Sequence, residues 1–193
     1  QLNAGAGILG FATAAGGGGI AVIARNTFSA AATVDITGFV SATYDAYQLY
    51  VHGTVATDAV SLYLRTSTDG GSTFDAGAGA YRYVKLGIRD DSAAAAPNVS
   101  QSDTELDLNS GIGDIGNAAG RSWSLFVRLS RPDVAADQTL VEWTFSCLGS
   151  TGLLSLINGS GVRAAAADVD GLRILASAGN ISGSYVFLGI KQA

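Results

Sequence analysis

Charged side chains are scarce in this chain, and the side chains that usually build catalytic or metal sites are scarcer. Asp, Glu, Lys and Arg make up 14% of the 193 residues, whereas they make up about 25% of an average globular domain. The one Cys excludes an internal disulfide framework, and with the one His it excludes a zinc site built from His and Cys ligands. The 11 Lys and Arg residues are scattered singly and the net charge is -5, so we expect no nucleic-acid partner.

Apolar and small residues are what the chain has in quantity. Hydrophobic residues account for 48% of the sequence and Gly for 26 positions, while Pro occupies only 2. A chain of this length and composition buries a sizeable core, which excludes intrinsic disorder and predicts one domain with or without an arm. The composition favours a binding or structural protein over an enzyme.

The N-terminal stretch is long enough to cross a membrane but has the wrong residues for it. Residues 4–24 carry no charge, and a spanning helix needs about 20 apolar residues. Seven of these positions are Gly, however, and each Gly weakens a helix by about 1 kcal/mol relative to Ala. We therefore expect no stable membrane span. The sequence predicts a Gly/Ala-rich attachment arm over residues 1–19 and a single β-sandwich domain over residues 20–193.

Short stretches in which apolar and polar side chains alternate predict strands with one buried and one exposed face. These stretches are residues 33–37, 47–53, 60–66, 122–130, 139–147, 172–175 and 184–190. In the second stretch, for example, Tyr47 and Leu49 share one face while Tyr50 and His52 share the other. Each stretch is short and is bounded by turn-forming residues, as in proteins made of antiparallel strands.

Many short strands separated by Gly-rich turns predict an all-β fold, an antiparallel β-sandwich of jelly-roll-like kind with little helix. No window sustains the apolar spacing of an amphipathic helix. Residues 157–169 are a weaker strand candidate, because an Ala run interrupts them. Residues 92–117 are rich in Ser, Asp, Asn and Gly, which predicts a long connection or a decorated edge.

The sharpest local motif is a turn at residues 67–74, which fit the pattern S-x-D-x-G-x-T-[FW]. We expect Asp69 to accept hydrogen bonds from backbone N–H groups, Gly71 to adopt a positive φ, and Phe74 to anchor the turn on the core. The pattern resembles the Asp-box of sialidase-like propellers, which recurs once in each blade and lies away from catalysis. A single copy predicts a structural hairpin and not a propeller.

The exposed face of the second and third predicted strands is the predicted binding surface. If the two strands pair as a hairpin, Tyr50, His52, Tyr63 and Arg65 cluster there. Aromatic rings beside an Arg stack on a sugar or form the energetic centre of a protein interface. Two roles stay open for these four residues: a subunit interface in a homo-oligomer, and contact with a glycan.

No catalytic constellation is visible in the sequence. His52 is not accompanied by a nucleophile motif. Cys147 lies on the same face of its predicted strand as Trp143 and Phe145, which predicts a buried, inert thiol. A glycosidase needs two carboxylates across a cleft. Glu142 is expected to point away from the Trp143 face, so the sequence offers no identifiable pair of carboxylates. Residues 168–171 resemble part of a calcium loop without its remaining ligands. We therefore predict no catalytic, cofactor-binding or metal-binding residue.

Four segments and the Gly-rich arm carry a wider similarity. The segments are residues 43–47 (TYDAY), 62–75 (LYLRTSTDGGSTFD), 81–83 (YRY) and 172–190 (LRILASAGNISGSYVFLGI). They resemble segments of the virion proteins of tailed bacteriophages, in which related stretches occur in tail-fibre, tail-tip and head-appendage proteins. Residues 86–120 depart most from that pattern.

This resemblance implies a non-enzymatic structural component of a phage particle, located in the virion and docked to neighbouring virion proteins through its N-terminal arm. It also implies a homo-oligomer, and a trimer is the expectation taken from phage fibres. Two alternatives stay open beside it: a receptor-binding module that recognises a host-surface glycan, and a polysaccharide depolymerase.

Overall fold

The described part of the chain is built from strands. A computed structural model describes residues 19–39 and 43–191, the side chain of residue 93 excepted. These residues form twelve strands, and none of them belongs to a helix that could cross a bilayer. The strands are β1 (Gly19–Ala31), β2 (Thr33–Thr37), β3 (Ala46–Val55), β4 (Leu62–Ser67), β5 (Tyr81–Arg89), β6 (Ser92–Asp103), β7 (Leu106–Asp107), β8 (Trp123–Ser130), β9 (Leu140–Leu148), β10 (Leu154–Arg163), β11 (Gly171–Ala176) and β12 (Ile181–Lys191).

The strands form two antiparallel sheets that pack against each other. The large sheet has eight strands in the order β1-β12-β3-β8-β9-β10-β5-β6, and the small sheet has four in the order β2-β11-β4-β7. Neighbouring strands pair antiparallel throughout both sheets. The predicted all-β antiparallel sandwich is confirmed.

Alternation along the strands explains why the two sheets stack. Inward-facing apolar side chains of both sheets meet in one core, and the largest with almost no exposure are Trp123, Tyr47, Tyr81, Phe145 and Phe187. Each aromatic side chain removes about 150–250 Å² from water, so these five contribute much of the buried apolar area. All seven strands predicted from alternation are present, with bounds shifted by a few residues.

Some strands were not predicted because their two faces do not differ clearly in polarity. β5 carries apolar side chains on both faces, and β6 is a run of small and polar residues. β6 lies at the edge of the large sheet, so part of the predicted connection at residues 92–117 is a strand. β10 ends at Arg163, before the Ala run, and not at the predicted residue 169.

The predicted hairpin of β3 and β4 does not form. β3 lies between β12 and β8 in the large sheet, while β4 lies between β11 and β7 in the small sheet. Residues 56–61 therefore carry the chain from one sheet to the other. As a result, the outward faces of β3 and β4 lie on opposite sides of the sandwich.

The large sheet is wider than the sheet that covers it. Neighbouring strands lie about 4.8 Å apart, so eight strands span about 34 Å and four span about 14 Å. Among the described side chains, none on the edge strands β1 and β6 is buried. The outer face of the large sheet is thus the widest exposed surface of the sandwich.

Candidate functional site

The candidate binding residues lie on the outer faces of the two sheets. Tyr50 and His52 point outward from β3 in the large sheet, and Tyr63 and Arg65 point outward from β4 in the small sheet. The core separates the two pairs. The prediction that all four cluster was wrong, because it depended on a hairpin between β3 and β4.

Tyr50 belongs to an aromatic pair on the large sheet. It is 46% exposed, and its ring centroid lies 4.9 Å from that of Phe126, its cross-strand neighbour on β8. Its hydroxyl donates a hydrogen bond to Gln48 Oε1 at 3.3 Å. Contacts across two strands therefore fix an aromatic face that remains open to solvent.

His52 lies between two adjoining depressions in the same face. Its Nε2 is 3.2 Å from Ser184 Oγ on β12. One depression, of about 290 Å³, also contacts Tyr50 and Phe126. The other, of about 520 Å³, is lined by apolar groups that include Trp123 and Leu154 together with short hydroxyl side chains, namely Thr54, Ser122, Ser124, Ser146 and Ser182. The surface is hollow here because these side chains are shorter than those around them.

This surface offers the groups that bind a polar ligand such as a sugar. Aromatic rings stack on the apolar face of a sugar ring, and hydroxyl and imidazole groups exchange hydrogen bonds with its hydroxyls. His52 and Ser184 are close enough to act as a base and a nucleophile. A catalytic triad also needs an acid that orients the His, and the residues that line the two depressions include no carboxylate.

The outward face of the small sheet is a network of paired charges. Arg65 Nη2 lies 2.8 Å from Glu105 Oε2, and its cross-strand neighbour Arg173 makes two hydrogen bonds of 2.7 Å to Asp35. Burial, followed by nearby carboxylates, raises the pKa of Tyr63 and keeps its hydroxyl protonated. Because both guanidinium groups are already paired, this face is less suited to an anionic ligand.

Asp69 holds together the turn at residues 67–74. Its Oδ1 accepts hydrogen bonds from Ser67 Oγ at 2.8 Å and Thr73 N at 2.9 Å, and its Oδ2 accepts one from Thr73 Oγ1 at 2.6 Å. These hydrogen bonds lower the pKa of Asp69 to about 2, and the bond from the Thr73 hydroxyl makes the largest contribution. Gly71 has a φ of 88°, and a side chain there would overlap Thr37.

Phe74 does not anchor this turn on the core as the sequence predicts. It is partly exposed and lies outside the buried apolar cluster. The Arg173 guanidinium lies 4.1 Å from its ring centroid, a distance typical of a cation–π contact. The turn is therefore fastened to the outer face of the small sheet.

The remaining candidate residues for chemistry are buried or paired. Burial, with a smaller effect of Asp114, raises the pKa of the Cys147 thiol to about 12. Glu142 pairs with Arg128 at 3.2 Å on the outer face of the large sheet, whereas Glu105 lies on the other side of the sandwich. These are the two Glu residues of the chain, and in this arrangement they do not flank a common cleft.

The calcium-loop fragment at residues 168–171 serves the neighbouring turn. Asp170 Oδ2 accepts a hydrogen bond from Gly70 N at 2.8 Å. Within residues 19–39 and 43–191, no three His, Cys, Asp or Glu side chains come together as a metal site would require. Asp170 therefore joins two loops in this structure.

Sequence reasoning missed an apolar patch at the far end of the large sheet. We define the apolar patch as Val84, Leu86 and Ile88 of β5, Val99 of β6, and Leu154 and Leu156 of β10. All six are exposed, from 41% for Leu156 to 66% for Val99. Apolar residues at every second position of β5 were the available signal, but periodicity does not tell an exposed apolar face from a buried one.

No model of a known protein family matches this chain, and no curated protein matches it.

Proposed function

We propose that this chain is a non-enzymatic structural subunit of a bacteriophage particle, a component of a tail fibre, tail tip or head appendage. Its phage origin is proposed from the resemblance of residues 43–47, 62–75, 81–83 and 172–190 to virion proteins. The observation that carries the assembly role is the amount of apolar side chain that the large sheet leaves uncovered.

Two groups of apolar side chains at opposite ends of the large sheet support an assembly role. The apolar patch lies at the end formed by β10, β5 and β6, and Ile20 and Val22 of β1, which are 68% and 61% exposed, lie at the other. Large exposed apolar areas on soluble domains mark interfaces. A charged fraction of only 14% lets subunits approach without burying unpaired charges.

The arm over residues 1–19 is the proposed attachment to neighbouring virion proteins. Residues 1–18 lie outside the described residues, so this role stays a prediction from the sequence. β1 begins at Gly19 on the edge of the large sheet. The arm therefore joins the sandwich beside the exposed side chains of Ile20 and Val22.

The composition of the particle tests the proposal. Phage particles are purified, washed in high salt, and examined by peptide mass spectrometry and by immunogold electron microscopy with an antibody to this chain. We expect the protein in intact particles at a fixed copy number and gold at one defined location. Protein found only in the unassembled fraction of the lysate would contradict the proposal.

The arm is tested by deleting it. A variant that lacks residues 1–18 keeps all twelve strands, so we expect it to fold as the full chain does. It should be missing from particles assembled in its presence, because the attachment segment is gone. Incorporation at the level of the full chain would contradict the docking role of the arm.

A second function, recognition of a host-surface glycan, is favoured by the surface around Tyr50, Phe126 and His52. Its test is binding to an array of host glycans by the full chain, by Tyr50→Ala and by Tyr63→Ala. We expect Tyr50→Ala to weaken binding about fivefold or more, since one stacked ring contributes about 1 kcal/mol. Tyr63→Ala is the matched control on the opposite side of the sandwich. An absence of binding by the full chain, or equal losses in both variants, would exclude this role.

A further inference from the structure

We propose that the apolar patch of β5, β6 and β10 is a self-association surface that packs against the same patch of a second copy of this chain. The inference deepens the proposed assembly role and rests on it, because it names the partner that covers one end of the large sheet. The following observations support a second copy as the occupant.

The patch is continuous across three strands. Leu156 of β10 is the cross-strand partner of Ile88, and Val99 of β6 is the cross-strand partner of Val84. Leu86 lies between Val84 and Ile88 on the same face of β5. Side chains two apart on one strand and paired across strands are in contact distance. The six residues thus form one apolar surface.

Its area fits the apolar centre of one dimer interface. From their exposed fractions, the six side chains present about 550 Å², at the upper end of the largest patches on monomeric proteins. A standard interface takes about 800 Å² from each partner, and about 65% of a homodimer interface is apolar. The apolar part of such an interface is then about 520 Å², close to the area that the patch offers.

The ends of the patch are complementary in charge to each other. On β5 the apolar run begins after Arg82 and ends before Arg89, which pairs with Asp91 at 2.6 Å, while Asp90 follows the strand in the turn to β6. A two-fold axis that runs across the strands turns β5 of one copy antiparallel to β5 of the other. Arg82 of each copy then faces Asp90 of its partner, so the patch is complementary to itself, as a two-fold interface requires.

The edge strand favours packing through the face of the sheet. Pro97 lies within β6 opposite Leu86, and Pro has no N–H to donate to an added strand. A second copy is thereby hindered from extending the sheet along β6. The exposed side chains above β5 and β10 are left as the contact surface, and faces of two sheets pack about 10 Å apart.

The experiment measures the mass of the full chain in solution by sedimentation velocity over a range of micromolar concentrations. The patch variant is Val84→Lys with Ile88→Lys. The control is Thr27→Lys with Ser29→Lys, which adds the same two lysines at exposed positions of β1, away from the patch and from Ile20 and Val22. Circular dichroism spectra and melting temperatures of both variants establish that they fold.

We expect the full chain and the control variant to be dimers, and the patch variant to dissociate at least about 100-fold more readily, because four lysines would meet in an apolar contact. A monomeric full chain, a trimer, or a patch variant that associates as the control does would overturn the inference. Detection of the protein in phage particles does not depend on this result, so failure of the dimer and failure of the virion role are separable.

Discussion

Lys85 of the large sheet and Asp107 of the small sheet form a buried ion pair that joins the two layers of the sandwich. Lys85 Nζ lies 2.8 Å from Asp107 Oδ1, and the Lys85 side chain has 0% exposure. Asp107 Oδ1 also accepts hydrogen bonds from the backbone N–H groups of Asn109 and Ser110. Burial lowers the pKa of Lys85, while Asp107 opposes that change. The pair therefore joins the two sheets where almost no water reaches the Lys85 side chain.

Replacing Lys85 with Met is expected to cost about 3–5 kcal/mol of unfolding free energy, because it leaves the Asp107 carboxylate buried without its cation. Urea denaturation of the full chain measures the loss. Arg128→Met is the control, since it breaks the exposed pair with Glu142 and should cost about 1 kcal/mol or less. Similar losses in the two variants would show that the Lys85 pair does not hold the layers together.

Asp69 should make the stability of the sandwich fall in acid. Its pKa is lowered from 3.8 to about 2 in the folded chain, so the unfolded chain binds the proton first and stability declines as the pH falls from about 4 to about 2. Asp69→Asn removes this dependence. Its melting temperature should lie below that of the wild type at neutral pH and converge with it near pH 2. A constant difference between the two across this range would contradict the assignment.

The sequence was informative where the two faces of a strand differ in polarity. On β8, Trp123 and Leu125 point inward while Ser124 and Arg128 point outward, and that strand was predicted nearly to its ends. β5 was missed because both of its faces are apolar. The turn around Asp69 was predictable because its hydrogen bonds join residues at most a few positions apart.

Strand pairing was not readable from the sequence. Alternation tells which face of a strand is buried, but not which strand lies beside it. The short connection at residues 56–61 suggested a hairpin, yet β12 and β8 occupy both sides of β3. The predicted cluster of Tyr50, His52, Tyr63 and Arg65 failed for this reason. The pairing of Tyr50 with Phe126 depends on the same long-range neighbours.

Cys147 should not react in the folded protein. Its thiol is buried, and burial raises its pKa to about 12, so almost no thiolate is present near neutral pH. We expect no labelling by a disulfide reagent at pH 8 in buffer, and one labelled thiol per chain in denaturant. Rapid labelling of the folded chain would show that the thiol is accessible, and an assay with Cys147→Ser would confirm the site of reaction.

Gly159 makes room for a tryptophan in the core. It is the cross-strand partner of Trp143, and a Cβ on Gly159 would overlap the Trp143 ring. Trp143 is held in place by its Nε1–H, which donates to Leu108 O at 3.2 Å, so the ring has little freedom to move away. This close approach also explains why β10 carries Gly at an inward position, where the sequence pattern of a strand is interrupted.

Gly159→Ala is therefore expected to lower the free energy of unfolding by about 1–3 kcal/mol, as overpacking a core does. Gly77→Ala is the matched control, because a Cβ there meets no atom and the backbone has no positive φ. Thermal and urea unfolding of both variants measure the effect, and Trp fluorescence reports displacement of the Trp143 ring. If Gly159→Ala were as stable as Gly77→Ala, the close packing of β9 against β10 would have to be different from the arrangement described.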